Sequence, residues 1–159
     1  MSNQSARNSE STYGKSQLNC YVLENDQSID SGAASVPVWS LEGSDNLNGA
    51  LNLGGGGELN FQKDGTYLIN GYIVIQADGA ATGKREVLVN LNGGLELTCA
   101  SSPLKNGENI AVPFSIIVRQ GLGDTVRTRA LQTQGAALNL IGKSTSANAH
   151  CRVSVYRLN

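Results

Sequence analysis

From Leu59 onward the chain reads as short runs in which apolar and polar residues alternate, the period of a half-buried strand. Leu59 and Phe61 open the pattern, Asp64-Gly65 turns it, and Tyr67, Ile69, Ile73 and Ile75 resume it. Further runs cover residues 86–91, 95–99, 110–118, 125–131, 137–141 and 151–158. Between them stand Asp78-Gly79, Asn92-Gly93-Gly94, Asn106-Gly107, Gly121-Leu122-Gly123-Asp124 and Asn148. Asn-Gly and Asp-Gly tolerate the positive φ of tight hairpins, and no stretch combines helical spacing with capping residues. The expectation is all-β: an antiparallel jelly-roll sandwich of about eight strands over residues 58–159.

The first third has a different texture. Residues 1–18 are rich in Ser and Asn and nearly free of aliphatics, which predicts a segment unable to offset the entropy of ordering on its own. Two short apolar stretches follow, 19–23 and 36–41, the second holding the only Trp, with Ser31-Gly32-Ala33-Ala34 between them. Residues 1–48 therefore read as an extended N-terminal arm with one or two short strands. Residues 49–57, with four consecutive Gly at 54–57, read as a flexible or tightly turned joint.

Composition narrows the chemistry. The chain has 159 residues, one His and a formal charge of −1, too little equipment for acid–base catalysis near neutral pH or for holding nucleic acid by bulk charge. No window approaches the ~20 apolar residues of a membrane helix, and the start lacks the apolar centre of a signal peptide. Charge is unevenly placed: two cations against seven acids in residues 1–60, ten against six afterwards. Such a split suits surfaces that meet different surroundings, or each other across neighbouring subunits.

Candidate motifs give way to plainer readings. Cys20, Cys99 and Cys151 have no C-x-x-C spacing, and His150 and Cys151 point to opposite faces of a strand, so a shared zinc is disfavoured and no metal or cofactor is expected. Gly142-Lys143-Ser144 lacks the earlier Gly and the following helix of a phosphate loop. Asp64, Asp78, Glu86, Glu96 and Asp124 could supply a carboxylate pair or a loop calcium site, but most stand in turns where Asp serves the backbone. Five Arg of the last third, Arg119, Arg127, Arg129, Arg152 and Arg157, fit either a subunit contact or a charge-protected sheet edge.

The order Phe61-x-x-x-Gly65-x-Tyr67, Val87-Leu88-Val89-Asn90-Leu91-Asn92-Gly93, Leu122-Gly123-Asp124-x-Val126 and Val153-Ser154-Val155-Tyr156-Arg157-Leu158 resembles the tumour-necrosis-factor and complement-head type of jelly roll over residues 58–159. That fold also occurs in phage and bacterial fibre or spike proteins. The resemblance implies a compact homotrimer that binds receptors or structural partners and is not an enzyme. It also implies that the strand after Gly65 and the last strand line the trimer axis. On that strand Leu68, Tyr72 and Val74 fall opposite the core set, too apolar for water, so Leu68, Tyr72 and Tyr156 are the expected seam, and Tyr72→Asp is expected to bury an unpartnered carboxylate. The polar front third resembles the tethers of phage head-decoration proteins. The functional expectation is a virion part on the capsid exterior, assembled in the host cytoplasm and bound to the major capsid protein partly through the arm. The alternative is the receptor- or glycan-binding head of a phage fibre or spike.

Overall fold

The computed structural model describes residues 18–45, 47–77, 83–102 and 107–159. The expected disorder of residues 1–17 and the turn at Asp78-Gly79 lie outside the described residues. Twelve strands form two antiparallel sheets, with no helix among the described residues. In chain order they are β1 (Leu18–Leu23), β2 (Gln27–Ile29), β3 (Trp39–Glu42), β4 (Leu51–Leu53), β5 (Leu59–Phe61), β6 (Gly65–Ile75), β7 (Arg85–Leu91), β8 (Leu95–Ser102), β9 (Ile110–Gln120), β10 (Thr125–Gln132), β11 (Leu138–Leu140) and β12 (Arg152–Arg157). Seven make one sheet: β9 lines one edge of β6, β12 and β11 share the other, β1 and then β3 follow β12, and β2 follows β11. The second sheet runs β4-β5-β10-β7-β8.

Alternation explains the packing. Tyr67, Ile69, Ile73 and Ile75 of β6 point inward and are fully buried, beside Val112 and Phe114 of β9 and Val153 and Val155 of β12. Val87, Val89, Val126 and Ala130 close the core from the other sheet. Phe61 meets Tyr67 edge-on, with ring centroids 4.6 Å apart, an arrangement worth ~0.5–1.5 kcal/mol beyond area burial. Asn92 and Gly93, with φ of 51° and 70°, make the β7–β8 hairpin turn that the Asn-Gly pair predicts.

The arm and joint need correcting. Residues 18–42 are not an arm: β1 is an interior strand between β12 and β3, and Tyr21, Leu23, Ile29 and Trp39 belong to the core. Ser35 exchanges two 2.8 Å backbone hydrogen bonds with Ala130, which ties the stretch before β3 to the five-stranded sheet. The sandwich thus has twelve strands where the sequence predicts about eight, and it begins forty residues before position 58. The joint is the tight option: Gly54–Gly57 turns the β4–β5 hairpin, and a Cβ at Gly57 would stand 1.9 Å from the Pro37 carbonyl oxygen. Strands of three or four residues bury too little each to show a period, so their membership is set by partners distant in sequence.

Candidate functional site

The outer face of the seven-stranded sheet carries the candidate residues. Cross-strand register sets them in rows, because directly opposed residues share a face. Ile117 of β9 stands opposite Leu68 of β6, Leu68 opposite Tyr156 of β12, and Tyr156 opposite Leu18 of β1. This apolar row crosses four strands; Leu68 and Tyr156 are half-buried, and Ile117 is 65% exposed. A second row runs Pro113, Tyr72, Arg152, Val22. The three residues expected at the seam therefore lie on one face, in two rows separated by the polar row Ser115, Asn70, Ser154, Cys20. Val74 is a correction, since it is buried at 1% exposure rather than open on that face. Beside it the β11–β12 connection returns, with Ile141 N–H donating to the Val74 carbonyl at 2.9 Å and Val74 N–H reaching Cys151 Sγ at 3.2 Å.

Sequence reasoning missed Ile117 and Leu18. Ile117 interrupts the small and polar outward set Ala111, Pro113, Ser115 and Arg119, a signal visible once β9 is phased. It also missed a polar group at one side of the face. Glu42 accepts from Lys143 Nζ at 2.8 Å and lies 3.4 Å from Arg152 Nη2. Cys20 Sγ sits 3.5 Å from Ser154 Oγ. The hydrogen bond from Lys143 holds the Glu42 carboxyl below its ordinary range, and the same pairing raises the Lys143 ammonium. Buried His150 has Nδ1 3.0 Å from the Ser146 carbonyl oxygen and no partner at Nε2 among the described residues.

Among the described residues no cluster of three or more His, Cys, Asp or Glu could hold a metal. Asp64 and Asp124 serve turns: Asp64 Oδ1 accepts the Leu122 amide at 2.8 Å, and Asp124 Oδ2 the Gly121 amide at 2.7 Å. Glu86 lies 3.8 Å from Lys84, and Glu96 pairs with Arg129. Gly142 packs on the Asn25 backbone while its amide donates to Asp26 at 2.7 Å, so the Gly-Lys-Ser stretch is a structural turn. Arg127 and Arg129 do not guard a sheet edge: β10 is an interior strand, and the two pair within the chain, Arg127 with Glu58 at 3.2 Å and Arg129 with Glu96.

No family model matches the sequence, and no curated protein matches it either. Among solved structures, Eiger TNF from S. frugiperda superposes with a TM-score of 0.62 at 12% identity, covering 92% of this chain and 94% of that one. Murine APRIL at pH 8.5 gives 0.60 at 14% identity over 89% and 98%, and murine APRIL at pH 5.0 gives 0.60 at 15% over 91% and 100%. The fold is a TNF-like jelly roll. At these identities the likeness speaks for the fold alone. Its coverage reaches well beyond residues 58–159, so the front third, which the sequence sets apart from the jelly roll, is largely part of it.

Proposed function

We propose that this chain is a non-enzymatic structural protein that self-associates, as a homotrimer, through the outer face of its seven-stranded sheet, and that the assembly decorates the exterior of a viral capsid. The row Ile117–Leu68–Tyr156–Leu18 carries the self-association reading. Contiguous apolar surface on a sheet face needs a cover, and Tyr is suited to the centre of an interface. A second apolar patch, Leu95 and Leu97 on edge strand β8, belongs to the other sheet and is 59% and 37% exposed. A face paired with a different edge makes a head-to-tail contact, which gives a ring where its rotation closes.

The capsid role is supported by sequence character. Residues 1–17 are polar and aliphatic-poor, suited to a tether that gains affinity by ordering on a neighbouring surface, with lattice symmetry adding avidity. The partner would be the major capsid protein, met on a virion assembled in a host cytoplasm. Native mass spectrometry of the full chain tests the first part, with a trimer expected and a monomer overturning it. Co-sedimentation with purified capsids, with and without residues 1–17, tests the second. Binding weakened by the deletion supports a decoration role; a trimer that ignores capsids but binds a glycan array would replace it with a fibre or spike head.

A further inference from the structure

The end of the sandwich that carries the 121–124 turn holds a recess of about 420 Å³, bounded by Asp64, Gly65, Thr66, Arg119 and Asn159. Asp64 and the neighbouring Asp124 each turn one oxygen to a backbone amide of the turn. The cations of the recess keep idle donors. Arg119, exposed and directly opposite Thr66, has no hydrogen bond or ion pair among the described residues. Arg157 donates Nη2 to the Asp64 carbonyl at 2.7 Å, while its Nε is buried without an acceptor among the described residues. That Nε stands behind Gly65, 3.0 Å from where a Cβ would be, and the Asn159 carbonyl oxygen lies 2.8 Å from the same point. The Thr66 amide is taken by Asn159 Oδ1 at 2.7 Å, and the Thr66 hydroxyl has no partner among the described residues.

A guanidinium with idle donors, a hydroxyl and a second positive charge behind a residue with no side chain ask for acceptor oxygens. We propose that this recess binds a small oxyanion: the Arg119 guanidinium offers a two-pronged contact, Thr66 Oγ1 a third donor, and Arg157 the charge from behind. A planar carboxylate would use the guanidinium fork alone, whereas tetrahedral sulfate or phosphate presents a further oxygen to Thr66, so the geometry favours the tetrahedral ions. The site lies beyond the apolar row of the outer face and goes past the structural role proposed above.

The test is an NMR titration of the full chain with sodium phosphate, sodium sulfate and sodium acetate, each against sodium chloride at matched ionic strength. Saturable shifts confined to the amides of Gly65, Thr66 and Arg119 are expected with phosphate or sulfate, with acetate weaker. Arg119→Ala, at an exposed position, should weaken binding at least tenfold while leaving the rest of the spectrum in place, and Thr66→Val should weaken the tetrahedral ions more than acetate. Shifts that do not saturate, that chloride reproduces, or that persist unchanged in Arg119→Ala would overturn the assignment.

Discussion

Trp39 donates its indole N–H to Thr128 Oγ1 at 3.1 Å, a bond between β3 of one sheet and β10 of the other, with both side chains buried. It adds a buried side-chain bond to the backbone pairing of Ser35 with Ala130 in fastening the front third to the opposite layer. Replacing Thr128 by Val keeps the shape and removes the acceptor. The indole N–H would then be buried and unsatisfied, at a cost of ~1–3 kcal/mol. A lower urea midpoint with an unchanged m-value is the expected result, and Trp39 fluorescence is a convenient probe because it is the chain's only Trp.

The register refines the choice of a seam mutation. Tyr72 lies directly opposite Arg152, so the carboxylate of Tyr72→Asp would find a cation and could be tolerated, contrary to the unpartnered burial that the sequence predicts. Leu68 stands between Ile117 and Tyr156, with no charge opposite it. Leu68→Asp should therefore dissociate the assembly where Tyr72→Asp weakens it less. Sedimentation of both variants near the dissociation constant reads the difference, and equal, unchanged masses would move the seam elsewhere.

Acid should loosen the edge of the same face. A carboxyl held below its ordinary value of 4.5, as Glu42 is by Lys143, binds its proton more weakly in the fold than in the unfolded chain. Its contribution to stability is complete above about pH 4.5 and is lost as pH falls through the lower, folded value. Unfolding midpoints measured from neutral pH down to about pH 3 should drop less steeply in Glu42→Gln than in the parent chain.

The three thiols should separate by reactivity. Cys151 is fully buried, and burial pushes its thiol up to about 12, so it should resist alkylation until the protein unfolds. Cys20 and Cys99 are half-buried and should be modified in the native state. Because Cys20 shares the outer face with Ser154, its alkylation rate should rise in Leu68→Asp if association covers that face. Peptide mapping after a timed pulse of iodoacetamide gives both answers.

Gly71 marks the closest approach of β6 and β12: a Cβ there would stand 2.1 Å from the Arg152 carbonyl oxygen and 2.9 Å from Val153 Cα. Backbone cannot yield as a flexible side chain can. Gly71→Ala should therefore lower the Tm by forcing the two strands apart, and hydrogen exchange should show the loss first in amides of 152–156. A silent substitution would mean that β6 and β12 separate at little cost.

Much of the body was legible because its strands are long enough to show a period. The runs that begin at Leu59 and Tyr67 and those that follow correspond to β5 through β12, and even the inward set of β6 was readable from position alone. Tyr21 and Trp39 were harder, since their partners lie in β12 and β10, far along the chain. The same distance hid the site's electrostatics. Arg127 and Glu58 are 69 positions apart, Arg129 and Glu96 33, and Lys143 and Glu42 101, and no local pattern joins such pairs. Leu68, Tyr72 and Tyr156 could be placed on a face by period, but the burial of Val74 depends on a connection that returns beside it from residue 141.

The pairing of β1 with β12 sets an order on biosynthesis. Cys20 faces Ser154 across 134 positions, so β1 cannot find that neighbour until nearly all the described chain has left the ribosome. Until then β1 can pair only with β3, and the edge of β6 that receives β12 stays open, flanked by buried-type residues such as Ile69 and Ile73. A nascent chain in that condition is an exposed, sticky hairpin set whose closing step carries a large loop entropy, which favours slow folding and sensitivity to crowding by its own copies. High-level expression would therefore reward a slower rate of synthesis or a lower temperature more than any change to the finished core.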